Sequence, residues 1–253
     1  MNVTSVGPAD APAFAFLPGV AMSGASFAPV AAHFPDTGCL LVDLPGHGGS
    51  RDIPWTDLDN AALSALATLP ETVTTLAGVS LGAYVGLMML ALAPDRFRFA
   101  LFSGLHPSDM PNPRLMRVLS YAMAPLVSRP FFARRNARAM GLSGDVLDAY
   151  VAGAAQTRPG AFARATCDVV DFSLPDGLDR VSTDVLIAAG TKEHQTILEG
   201  QATICSALQK ADACRASGLG HAWPAQDTAR FAALLRAHVD GSGWPEGIEP
   251  VPS

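Results

Sequence analysis

Residues 78–82 read Gly-Val-Ser-Leu-Gly, a serine between glycines in the pattern G-x-S-x-G. A stretch rich in β-branched residues, 72–79, precedes it, and a helical pattern over 80–93 follows and stops before Pro94. That context predicts a sharp strand-to-helix turn. Such a turn strains the serine and presents its hydroxyl at a helix N-terminus, where the dipole favours developing negative charge. A serine hydroxyl needs a base at neutral pH. Of six histidines, His221 is the candidate: it lies in Gly-Leu-Gly-His-Ala-Trp-Pro, 218–224, whose glycines free the loop to carry the ring over a site. Trp223 beside it either touches substrate or anchors the loop. His238, late in an amphipathic helix, reads as a solvated or helix-terminal charge, His33 as a surface residue, and His47 as part of a turn. The base in turn needs an orienting carboxylate. Glu193 follows the predicted strand 184–189 at its C-terminal end, where ligands collect in open α/β sheets; Asp184 sits at the wrong end. Asp109, after the strand ending near 102, is the rival.

The elements that must position these groups follow from hydrophobic patterning. Short apolar runs at 13–17, 38–43, 72–79, 97–102, 184–189 and 211–216 alternate with helical patterns at 80–93, 195–210 and 226–239, which argues for α/β architecture. The stretch 107–182 lacks a buried strand and reads as helical, an insertion between two strands. The organisation expected is a core of 1–106 and 183–253 with a helical cap of 107–182. The Gly- and Pro-rich tail from 241 is expected to fray.

The 253 residues are 49% hydrophobic and 16% charged, too apolar for disorder and long enough for a sizeable core. A net charge of -6 argues against a nucleic-acid partner. The longest apolar run, 81–93, has 13 residues against about 18 for a membrane span. Residues 1–10 contain no Lys or Arg before an apolar stretch, so a signal peptide is not indicated and a cytoplasmic location is expected. Cys39, Cys167, Cys205 and Cys214 show no C-x-x-C or zinc-ligand spacing; reduced thiols are expected, with a Cys205–Cys214 bridge left open.

The order Ser80, Glu193, His221 is the Ser-acid-His order of α/β-hydrolases. The sequence resembles that superfamily over nearly its whole length, in a form with a helical cap. The loop 43–50, Asp-Leu-Pro-Gly-His-Gly-Gly-Ser, resembles the family's D-x-P-G-x-G-x-S loop. Two departures stand out: the acid would be Glu where the family commonly has Asp, and the family's early His-Gly pair appears as Pro18-Gly19. The resemblance implies a mostly parallel sheet with helices on both faces. It also implies an oxyanion hole formed by the N–H groups of Leu81 and Val20, and it requires no metal or organic cofactor.

A serine with a histidine base suits acyl transfer. The expected activity is hydrolysis of a small to medium carboxylic ester, a lactone or thioester included, through an acyl-enzyme on Ser80. The alternative is C–C bond hydrolysis or elimination on an anionic substrate, as in the menaquinone-pathway lyase. A non-catalytic receptor is a third reading, disfavoured by the complete set of residues. Between 114 and 138 there are six arginines and no acid. They are expected to be solvated or paired with the acidic body, with binding of an anionic substrate as the sharper alternative. Tyr121, Met123, Phe131 and Phe132 are expected in the cap's core, or else in a pocket lining.

Overall fold

The computed structural model describes residues 1–8, 12–107, 110 and 112–251. Among these residues the sheet has eight strands: β1 (Val3–Val6), β2 (Pro12–Leu17), β3 (Gly38–Val42), β4 (Thr75–Val79), β5 (Phe99–Ser103), β6 (Asp184–Gly190), β7 (Ala211–Ala216) and β8 (Ile248–Pro250). Their order is β1-β3-β2-β4-β5-β6-β7-β8. The six inner strands run parallel, while β1 and β8 lie antiparallel at the two edges. Strand β3, Gly-Cys-Leu-Leu-Val, is buried at every position. Such continuous apolar runs mark strands covered on both faces.

Ten α-helical segments accompany the sheet among the described residues: α1 (Ala28–Ala31), α2 (Leu58–Thr68), α3 (Leu81–Leu92), α4 (Pro113–Val127), α5 (Pro130–Ala139), α6 (Gly144–Ala155), α7 (Pro159–Val170), α8 (Gln195–Ala207), α9 (Trp223–Gln226) and α10 (Thr228–Asp240). Two begin on aspartate caps: Asp57 accepts from the Asn60 N–H of α2, and Asp227 from the Arg230 N–H of α10. Each satisfies an N–H that the helix itself leaves open. Two separate cores cover the faces of the sheet. One holds α2 and α3 with Leu17, Leu76 and Phe102; the other holds α10 with Phe16, Leu101 and Leu186. Between β5 and β6 the chain is helical, α4 to α7, as the lack of a strand pattern there implies. Among the described residues no helix is long and apolar enough to cross a membrane.

The sequence pattern missed both edge strands. The tail does not fray throughout: Ile248 is buried, and its strand pairs Cys214 with Pro250 and Ala216 with Ile248. One anchoring isoleucine, Ile248, is too little to stand out in a Gly- and Pro-rich segment. At the other end, β1 pairs Val3 with Val42 and Val6 with Cys39, and four residues are too few to establish a period.

The turn between β4 and α3 is the tightest point of the fold. Ser80 has φ 52° and ψ -122°, a region that costs a non-glycine residue about 1–3 kcal/mol. Its flanking glycines make the turn possible. A Cβ on Gly82 would lie 2.0 Å from the Leu17 carbonyl oxygen, and one on Gly78 would lie 2.6 Å from the Gly82 oxygen. Helix α3 therefore starts in direct contact with the ends of β2 and β4. Gly82→Ala should lower the stability of the chain by about 1–3 kcal/mol, read as an earlier urea midpoint with an unchanged slope.

Candidate active site

Ser80 is held in its strained conformation from both sides. Its N–H donates to the Ser103 carbonyl at 2.8 Å, and its own carbonyl accepts from the N–H groups of Ala83 and Tyr84. Strand β5 ends at Ser103 beside β4, so the elbow is tied to its neighbour strand.

Glu193 follows β6. A turn in which its N–H donates to the Gly190 carbonyl brings the carboxylate back over the end of the sheet. Its Oε1 accepts from the His194 N–H at 3.1 Å. Its Oε2 lies 2.9 Å from His221 Nδ1, and the Glu193 side chain is 4% exposed against 41% for His221. The carboxylate is thus buried behind an imidazole that faces open space. Asp109, the rival acid, lies outside the described residues.

The loop carrying His221 leaves β7 at Ser217 and crosses the end of β6. Gly190 must be a glycine there, because a Cβ would lie 2.3 Å from the Leu219 carbonyl oxygen. Lys192 N–H donates to that same carbonyl at 2.8 Å. Gly218 supplies a φ of 77°, a left-handed conformation that suits glycine. The imidazole packs on Gly104, where a Cβ would lie 2.7 Å from Cε1.

Trp223 is an anchor. It is fully buried, and its indole Nε1 donates to Ser103 Oγ at 2.8 Å. Ser103 therefore serves two parts of the site: its carbonyl fixes the Ser80 backbone and its hydroxyl fixes the loop of His221. Sequence reasoning overlooked Ser103 and Gly104. The available signal is a small polar residue closing an otherwise apolar strand, Phe-Ala-Leu-Phe-Ser, followed by glycine.

Ser80 and His221 line one cavity of about 240 Å³. Its walls include Gly19, Val20, Met22, Phe27 and Val30 on the body side, and Met140, Leu142, Tyr150 and Phe162 from the inserted helices. No arginine or lysine lines it among the described residues. Gly19 brings its backbone against the serine, since a Cβ there would lie 3.5 Å from Ser80 Cβ. Val20 follows on the same wall, and Leu81 is the first residue of α3. The N–H groups of Val20 and Leu81 enter none of the described backbone hydrogen bonds.

The loop 43–50 braces this wall from behind. The Asp43 carboxylate accepts from the Gly24 N–H at 2.7 Å, the Asn2 amide at 2.7 Å and the Gly49 N–H at 2.8 Å. Gly48, at φ 49°, must lack a side chain, because a Cβ would lie 2.5 Å from this carboxylate. His47 is buried and makes the turn expected of it, its Nδ1 2.9 Å from the Pro45 carbonyl. Burial pushes its imidazole below the usual histidine range, against smaller raising effects from the Pro45 bond and from Asp43.

Other histidines and thiols fall into place around the site. His33 is exposed, as expected. His238 is not solvated: its side chain is 9% exposed and Nε2 lies 3.0 Å from the Asp184 carbonyl. Its helix packs on the sheet, which buries even a residue of the last turn. The four cysteines are free, with no Cys205–Cys214 bridge. Burial pushes the Cys205 thiol up to about 11 and the Cys214 thiol up to about 12. Three arginines of the inserted helices pair with acids: Arg117 with Asp171, Arg134 with Asp148, and Arg158 with Asp52 of the body. Tyr121, Met123, Phe131 and Phe132 are exposed and do not form a core.

The alpha/beta hydrolase family description matches residues 14–234, and the chain belongs to that family. No curated protein matches the chain. Solved structures do. An esterase from Exiguobacterium antarcticum superimposes with a TM-score of 0.78 at 16% identity, over 94% of each chain. The enol-lactonase from Burkholderia xenovorans gives 0.76 at 14% identity, covering 94% of this chain and 96% of that one. MenH from S. aureus gives 0.73 at 17% identity, covering 94% and 98%. At these identities the likeness is one of fold.

Two outcomes follow from this packing. Ser103→Ala should cost about 1–3 kcal/mol by leaving the buried indole N–H unpaired, measured by urea unfolding. Because the folded His47 resists protonation, the unfolded chain takes up its proton first. Stability should therefore be full above pH 6.5, the ordinary histidine value, and fall as the pH drops towards the lower folded value. His47→Gln should flatten that part of a stability–pH curve.

Proposed function

We propose that the chain is a serine hydrolase of small to medium carboxylic esters, acting through an acyl-enzyme on Ser80. The observation that carries this reading is the convergence at one sheet end. The strained Ser80 and His221 line a single cavity, and His221 Nδ1 is backed by the buried Glu193 carboxylate at 2.9 Å.

In this reading Ser80 Oγ attacks the ester carbonyl while His221 Nε2 takes its proton. Glu193 accepts from Nδ1–H, fixes the tautomer and stabilises the imidazolium that forms. The negative charge on the carbonyl oxygen is met by the N–H groups of Leu81 and Val20, both left open by the backbone pattern. Collapse of this intermediate breaks the ester bond, and His221 returns the proton to the departing alcohol. Water, deprotonated by His221, then attacks the acyl-enzyme and releases the carboxylic acid with Ser80 restored. The inserted helices act as the cap, and α5, α6 and α7 supply the far wall of the cavity. No step calls for a metal or an organic cofactor.

The cavity lining supports the ester reading over the C–C alternative. An anionic substrate for C–C cleavage or elimination needs a cation beside it. The described lining holds none and is chiefly aliphatic and aromatic. A neutral acyl ester fits this environment better.

With a panel of p-nitrophenyl acyl esters the wild-type chain should turn over short and medium chains. Ser80→Ala should abolish turnover while leaving the unfolding midpoint near that of the wild type. Glu193→Gln should lower kcat by about 10²–10⁴-fold. A large loss in Asp109→Asn instead would move the acid to that residue. Silence on all esters, with Ser80 still labelled by a fluorophosphonate, would favour the C–C chemistry.

A further inference from the structure

Helix α4 is inverted relative to an ordinary surface helix. Its face towards the protein, where it packs on α7, presents Met116, Ser120 and Ala124, with Ser120 and Ala124 buried. Its outward face carries Leu115, Val118, Leu119 and Met123, all exposed, Val118 at 65%. The spacing i, i+3, i+4, i+8 places these on one stripe. Immediately after it, α5 buries Ala133 and Ala137 and leaves Phe131 74% exposed. Seven of the eleven large apolar side chains exposed among the described residues fall between 115 and 132. They cluster on two consecutive, contacting helices rather than being scattered along the chain, and such patches mark contact sites.

The charge around this surface narrows its occupant. Segment 114–138 contains six arginines and no acid or lysine, in a chain whose net charge is -6. Arg129, Arg135 and Arg138 make no ion pair among the described residues. A second copy meeting this face about a two-fold axis would set one arginine cluster against the other. The fitting occupant is at once apolar and negatively charged. We propose that the outer face of α4 and α5 docks the protein on an anionic lipid surface, with Phe131, Val118 and Leu119 entering the acyl boundary and the arginines meeting phosphate headgroups.

The surface leads inward. A second cavity, of about 330 Å³, is lined by Met123, Phe132 and Arg135. It shares Asn136, Tyr150 and Phe162 with the cavity of Ser80. Tyr150 and Asn136, hydrogen-bonded at 2.6 Å, stand where the two meet. An apolar ester dissolved in the lipid layer would thus have a route from the docked face to the serine. That route rests on the hydrolase reading; the docking itself does not.

The test is co-sedimentation of the full chain with vesicles of pure phosphatidylcholine and of equimolar phosphatidylcholine and phosphatidylglycerol. Binding should be at least about 10-fold stronger to the anionic vesicles and should weaken between about 0.1 M and about 0.5 M salt. Phe131→Ser with Val118→Ser should lower partitioning about 10-fold or more. Each of Arg129→Gln and Arg138→Gln should lower it about fivefold on anionic vesicles. All these positions are exposed, and p-nitrophenyl butyrate turnover in solution should stay at the wild-type level. Ser80→Ala should bind vesicles like the wild type, so loss of esterase activity and loss of docking are read separately. Equal binding to both vesicle types, no binding, or patch variants that bind unchanged would overturn the proposal. So would a dimer that Phe131→Ser breaks, or capture of an acidic amphipathic peptide in place of vesicles.

Discussion

The positive φ of Ser80 is the constraint on which the site depends. No side-chain interaction compensates directly for that strained backbone. It persists because its surroundings leave no alternative: the Ser103 carbonyl takes its N–H, and the glycines at 78 and 82 let strand and helix close to distances that a methyl group would forbid. Relaxing the turn would require moving α3, which is buried along most of its length. The local strain is thus set against the packing of the central helix.

The same economy governs the arrangement around the serine. The parallel strands β4, β5 and β6 end together, and each delivers something different at that edge: the elbow, the Ser103-Gly104 step, and the turn that returns Glu193. Ser103 links two of the three loops through opposite ends of one residue, carbonyl to the elbow and hydroxyl to Trp223. The imidazole then rests on a backbone without a side chain at Gly104. Its position is defined by surfaces that are themselves hydrogen-bonded to the sheet, which is how a loop residue acquires the rigidity of a strand.

Much of this was legible in the sequence because the signals are local. An apolar run, a G-x-S-x-G step and a helical period identify the elbow within about twenty residues. Residues 193 and 221 read as loop positions after strands, and the structure brings them within hydrogen-bonding distance. Non-local relations were less visible. Nothing in Phe-Ala-Leu-Phe-Ser announces that its serine meets a tryptophan 120 positions away. The buried state of His238 depends on the sheet beneath its helix, and the solvent-facing apolar side of α4 only appears once its inward face is known. The edge strands β1 and β8 were missed because three or four residues carry no measurable alternation, and their strand conformation comes from the neighbour they pair with.

Those two edge strands bear on how the molecule behaves in company. An open sheet border offers unpaired amides and carbonyls to any passing chain. Here both borders are closed by ribbons of only three and four residues, antiparallel to the rest. The outermost one ends in Pro250, which has no amide hydrogen to offer, and carries the charged Glu249. Neither border is long enough to template growth of the sheet, so crowding of folded molecules should not proceed by strand addition.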